Sequence, residues 1–255
     1  MSSDPSPGAY FEFRSGSNSD VNTYSELLAF NYGQEGAARM NAMRVTELRL
    51  VKQMGKFSQH EYIVACVMTP PGTTQYISLE RLRGDAVTRA SQSDSLLTRT
   101  SSKQQSFPSR TPSISSSSES SMDYLSKRSD ALDTVRTLDK PLHATGDEVL
   151  GTLRFTGTRP FYLYELAVLA VTMHESQTCY RLFSTNCYWF TGLLMNILEK
   201  DYGLKLEVEN RRGVKPGTWI VIPLYEQAPP ADLLAITNDF REHVRNFQKK
   251  VIFIF

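Results

Sequence analysis

The chain has 255 residues, with 28 Lys and Arg against 27 Asp and Glu and a formal net charge of +1. That balance excludes the strongly basic face of a general nucleic-acid binder and the cationic patch of a protein held by anionic lipid. Hydrophobic residues make up 40%, enough for one core but lean for a chain folded throughout, so part of the sequence is expected to lie outside it. Three Cys are an odd number and too few for a disulfide scaffold, which reads as free thiols in an intracellular, cytoplasmic protein.

Met1 to Phe13 carries acids, prolines and serines without a basic and then apolar run, so no secretory signal is expected. Met1 to Asp20 is rich in Ser, Gly, Pro and Asp, and residues 1–24 are expected to be a disordered segment before a single domain over 25–255. Ser25 to Met43 reads as a short helix broken near Gly33 and Gly36. The period then changes. Arg44 to Val51 alternates polar and apolar residues as a half-buried strand does, and Glu61 to Met68 is apolar on both parities, as in a strand covered on both faces. Turn chemistry at Thr69-Pro70-Pro71-Gly72-Thr73 leads into a returning strand over Gln75–Leu82, which gives three neighbouring antiparallel strands between Arg44 and Arg83.

From Ser91 to Ser129 the composition shifts, with 16 of 39 residues Ser and few large apolar side chains. Such a segment cannot bury enough surface to offset its ordering entropy. It reads as a disordered insertion within the domain, over about 85–130, because strand-like sequence precedes it and the strongest helices follow. Ser102 and Ser113 each follow an Arg by three residues, a kinase-like spacing that chance alone supplies in so Ser-rich a stretch.

Val149 to Phe155 reads as a strand or the end of a loop, and Phe161 to Gln177 as a helix with Pro160 at its first position. The run Phe161–Met173 contains Glu165 and falls short of the roughly 20 apolar residues of a membrane span, so no transmembrane segment is expected. Tyr180 to Phe183 is a connector. A second helix runs from Cys187 to Tyr202, with Gly203 as its stop. Trp219 to Leu224 reads as another buried strand or an extended segment, Pro230 to Lys250 as an amphipathic helix, and Val251 to Phe255 as a strand-like tail. The fold class is therefore α+β, an antiparallel sheet packed against helices. No internal repeat is visible.

The stretch richest in chemistry is Tyr180 to Phe190. Asn186 is a strong N-cap residue, so Cys187 falls in the first turn of an apolar helix. A thiol there meets the positive end of the helix dipole and unpaired backbone N–H groups, which favour the nucleophilic thiolate. The same N–H groups, with the Asn186 side chain, can receive an oxyanion. A thiolate enzyme also needs a base. Of His60, His143, His174 and His243, His60 stands at the mouth of the buried strand, where a rigid element can hold an imidazole. His143 sits in loop-like sequence, His174 near a helix end and His243 on a charged helix face. The group that orients the imidazole would be Glu80 or Ser78 on the adjacent strand; Glu80 is taken, although Arg81 and Arg83 beside it also suit a surface charge at a strand end. Cys66 and Cys179 read as small core hydrophobes. Among Tyr188, Trp189 and Phe190, which by position are packing residues, Trp189 is the candidate for a substrate cleft. His174, Cys179 and Cys187 lack the spacing of a structural zinc site, and no Gly-rich phosphate loop occurs, so neither metal nor cofactor is expected.

The pattern Tyr180-x-Leu182-x-x-x-Asn186-Cys187-x-x-Phe190, preceded by a strand-borne His, resembles the circularly permuted papain-like fold of the lecithin–retinol acyltransferase group and the PPPDE-type isopeptidases. It also resembles, more broadly, uncharacterised fungal proteins with an Asn-Cys-Tyr-Trp-Phe motif. The resemblance covers about Arg44–Gly84 and Pro160–Gly203. It implies a cysteine-dependent hydrolase or acyltransferase in which Cys187 is the nucleophile, His60 the base, and a peptide, isopeptide or lipid acyl group the substrate. Two features depart from it: no second His follows His60 on the strand, and the insertion is long. The rival reading is a non-catalytic interaction module that keeps the fold, and a third is a phosphorylated scaffold built on the Ser-rich loop. No nucleic-acid partner is expected, and the sequence leaves the oligomeric state open.

Overall fold

A computed structural model describes residues 16–35, 37–54, 59–70, 72–84, 129–181, 185–209, 216, 218–219, 222–223 and 230–253. The segment expected to be disordered at the N-terminus falls outside these residues up to Ser15, and the Ser-rich insertion, with Ser102 and Ser113, falls outside them from 85 to 128.

Nine strands form one sheet, and every pairing among the described residues is antiparallel. Its centre is the expected trio, β2 (Arg44–Met54), β3 (Gln59–Met68) and β4 (Thr74–Arg83). Pairings Leu50↔Ile63 and Ala65↔Ile77 fix their register. The turn between β3 and β4 closes at Gly72, where φ is 80° and the N–H donates to the Thr69 carbonyl. Beyond β4 comes β5 (Ser129–Leu138), and beyond that the short β1 (Asn18–Asp20); beyond β2 come β6 (Glu148–Arg154) and β9 (Glu207–Val208). β7 (Phe161–Tyr162) pairs with the start of β2 and β8 (Cys179–Tyr180) with the start of β5. A separate pair, β10 (Thr218–Trp219) with β11 (Ile222–Pro223), stands where one strand or extended segment was expected.

The helices lie on one face. In chain order they are α1 (Val21–Glu35), α2 (Ala37–Met40), α3 (Leu163–Ser176), α4 (Cys187–Tyr202) and α5 (Pro230–Phe253). α4 rests on β3 and β4, while α1 and α5 pack on α3. The main core fills the space between, from Leu48, Ile63, Ala65, Val67, Ile77 and Leu79 of the sheet to Leu166, Leu169, Phe190, Leu194 and Phe240 of the helices. The other parity of β3 supplies Tyr62 and Val64 to a smaller cluster with Val51 on the opposite face, packed by Leu142 and Val149. β3 is thus buried on both faces, as its apolar run requires. No helix among the described residues is long and apolar enough to cross a membrane.

Several boundaries differ from the sequence reading. Order begins before residue 25: β1 pairs with β5 through its backbone, and Asp20 accepts from the Thr23 N–H (2.9 Å), so α1 starts at Val21 and runs unbroken through Gly33. Pro160 precedes a strand and not a helix, because Phe161 and Tyr162 pair with Val45 and Arg44; α3 starts at Leu163, with the Tyr162 N–H donating to the Glu165 carboxylate (2.9 Å). The C-terminal residues Val251–Phe253 continue α5 instead of forming a strand, since Val251 extends the buried stripe Leu233, Ile236, Phe240 and Phe247 by four residues. β5 lay hidden beside the insertion, because its buried positions include the polar residues Asp133, Thr134 and Thr137.

Candidate active site

Cys187 opens α4 as the sequence requires. The Asn186 Oδ1 accepts the Trp189 N–H at 2.9 Å, and Gly203, at φ 62°, ends the helix. The Cys187 residue is 4% exposed. Tyr180, on β8, stands beside Cys187; burial, the Cys187 charge and a side-chain hydrogen bond to Cys187 raise its pKa, against the Cys187 backbone N–H, which lowers it.

His60 stands at the start of β3, beyond the last β3–β4 pair, Ile63↔Leu79. Its Nε2 lies 3.3 Å from Glu80 Oε2. Burial disfavours the imidazolium, but the Cys187 charge, a hydrogen bond to Cys187 and the Glu80 carboxylate outweigh it and raise the His60 pKa to about 10. Burial likewise pushes the Glu80 carboxyl up, yet His60, His143 and Arg136 hold it below the usual value. Cys187, His60 and Glu80, expected from three separate elements, are thus brought together around one imidazole.

Ser78, the alternative orienter, lies on the same face of β4 as Glu80 but reaches a different histidine. Its Oγ is 2.8 Å from His143 Nε2, which is 3.3 Å from Glu80 Oε1. The His143 ring stacks on Tyr62 with centroids 4.2 Å apart. The Tyr62 hydroxyl donates to Asp147 (2.7 Å) and accepts the His143 backbone N–H (3.2 Å). Tyr62 and Asp147 are site residues that sequence reasoning passed over; His143 was set aside as a loop histidine, and Tyr180 stood only in the motif. The available signal was parity: Tyr62 stands two residues from His60, and Ser78 two from Glu80, which puts each pair on one face of a strand.

The other candidates have structural partners. Trp189 lies under the Arg81 guanidinium, 4.7 Å from ring centroid, and packs against the main core. His174 Nδ1 is 2.8 Å from Asp133, and His243 Nδ1 is 3.0 Å from the Thr172 hydroxyl. Cys66 sits against Glu47, with burial and that carboxylate pushing its thiol up to about 12, and Cys179 is buried on β8. Among the described residues no group of three or more His, Cys, Asp or Glu is arranged to hold a metal ion.

The arrangement can hold a proton between sulfur and imidazole and a carboxylate behind the imidazole, in a site largely closed to water. Comparison with protein-family models, with curated proteins and with solved structures finds no match to this chain.

Proposed function

We propose that the chain is a cysteine-dependent hydrolase or acyltransferase. The observation that carries this reading is that the His60 imidazole has both Cys187, at the start of a helix capped by Asn186, and the Glu80 carboxylate as neighbours. The order of parts, a strand-borne His followed by a Cys at a helix N-terminus, supports a permuted papain-like reading of the fold. In the reaction, His60 takes the Cys187 proton as the sulfur adds to the acyl carbon of a peptide, isopeptide or ester. The carbonyl pair moves onto oxygen, which meets the Tyr180 hydroxyl beside the start of α4. The carbonyl re-forms, the bond to the leaving amine or alcohol breaks, and His60 returns the proton to it. Water or a second acceptor, deprotonated by His60, then cleaves the thioester and restores the thiol. Glu80 holds the imidazolium through these steps.

One observation favours a second reading, a binding module that does not turn over: Cys187 is 4% exposed. Incubation with a p-nitrophenyl acyl ester, followed by intact mass, separates the two. The enzyme reading predicts an added acyl mass on wild type and none on Cys187→Ala; an unmodified wild-type chain overturns it.

A further inference from the structure

Glu80 does not face His60 alone. One carboxylate oxygen lies 3.3 Å from His60 Nε2 and the other 3.3 Å from His143 Nε2, so the carboxylate is held between two imidazoles. His143 reaches it from outside the sheet, on the segment between β5 and β6. Three contacts fix that segment: the ring stacks on Tyr62, the His143 N–H donates to the Tyr62 hydroxyl, and Asp147 accepts from both Tyr62 and the Ala144 N–H (3.0 Å). The His143 side chain is 13% exposed and that of Glu80 12%, so water competes little for either. With Ser78 Oγ 2.8 Å from His143 Nε2, the serine hydroxyl can pass its own proton toward Glu80 Oε1, 3.4 Å away. The neutral ring thereby donates into Ser78, and Ser78 into the carboxylate.

We propose that His143 is a positioning residue of the Cys187 site, fixing the Glu80 carboxylate against the His60 imidazole through its Nε2 and the Ser78 hydroxyl. This rests on the reading of Cys187 and His60 given above. It supplies from a loop the second imidazole that the strand after His60 lacks. The groups facing His143 are Glu80 and Ser78 of β4, His60 and Tyr62 of β3, Arg136 of β5, and Asp147 before β6. Burial, with Arg136 and His60, outweighs the two carboxylates and keeps its pKa below the ordinary imidazole value. His143 is therefore neutral near neutrality. Protonating it in acid sets a second cation on Glu80 and weakens the hold on the His60 imidazolium.

The test follows His60 by side-chain ¹H–¹⁵N NMR and Cys187 by iodoacetamide alkylation in the full chain, between about pH 5 and about pH 11. His143→Phe keeps a ring against Tyr62 and removes Nε2; His143→Gln keeps an N–H donor that does not titrate. In wild type, the His60 signal shows an inflection below about 6.5 from His143. The Phe variant loses it, lowers the His60 pKa and slows Cys187 alkylation about three- to tenfold at neutral pH, the scale of one hydrogen bond. The Gln variant also lacks the inflection but restores most of the rate. A His143→Phe chain with the wild-type His60 titration and rate overturns the proposal while leaving the Cys187–His60 reading intact. If wild-type Cys187 already titrates as a free thiol and His60→Ala changes nothing, that reading falls first and the role of His143 falls with it. Should the Phe variant not fold, Ser78→Ala makes the same comparison, and an unchanged His60 titration there overturns the relay.

Discussion

Replacing Asp133 by Ala removes the acceptor at the centre of a buried charge cluster. Asp133 and Arg81 both have side chains that are 0% exposed. The carboxylate accepts Arg81 Nε at 2.7 Å and Nη2 at 2.6 Å, and its second oxygen is 2.8 Å from His174 Nδ1. Arg81 also donates to the Gln177 carbonyl at 2.8 Å and covers the Trp189 ring, so the pair ties β4 and β5 to the end of α3 and the first turn of α4. Without Asp133 the guanidinium stays buried with its counter-charge gone, a loss of roughly 3–5 kcal/mol. Against a total of about 5–15 kcal/mol for a folded domain, that is a large fraction. Urea unfolding followed by tryptophan fluorescence measures it, with Trp189 beside the cluster as the reporter. The pair Arg81→Met with Asp133→Leu should cost clearly less than Asp133→Ala alone, because it leaves no orphaned charge. A loss below about 1 kcal/mol in Asp133→Ala would refute the argument, since it would mean that water or another acceptor reaches Arg81.

The Asn186→Ala chain loses the cap on α4 and is expected to be about 1 kcal/mol less stable by urea titration, with slower Cys187 alkylation. Glu80 ionises more readily folded than unfolded, so its contribution to stability is present above about 4.5 and is lost as pH falls through its lower folded value. Glu80→Gln should therefore flatten the fall in melting temperature on the acid side of 4.5, and a wild-type acid profile would contradict this. Cys66, its thiol pushed up to about 12 by burial and Glu47, should remain unmodified by iodoacetamide at pH ~8 while the chain is folded, and react only after denaturation.

What was legible in the sequence is what local chemistry determines. The alternation of β2, the two-faced apolar run of β3, and the Asn186 and Gly203 limits of α4 follow from periodicity and capping, and each is present in the structure. The elements that escaped are those whose burial depends on distant partners. β5 carries Asp133 buried because Arg81 and His174 meet it, and no window of its own sequence reveals that. The start of α3 moved because Phe161 and Tyr162 found β2 as a partner. His143 read as a loop residue because its role depends on Tyr62, some 81 residues earlier in the chain. Conversely, residue type and element order singled out Cys187, His60 and Glu80, which lie near one another in the structure.

The central claim is that Cys187 and His60 share a proton in the resting protein, and the pH dependence of Cys187 alkylation by iodoacetamide tests it most directly. Peptide mass spectrometry reads the rate, with Cys66 and Cys179 as internal controls. In wild type, Cys187 should go on reacting at acid pH where Cys66 and Cys179 no longer do, and His60→Ala should remove that difference. A wild-type Cys187 whose rate follows pH as those of Cys66 and Cys179 do, or one whose rate is the same with and without His60, would contradict the account.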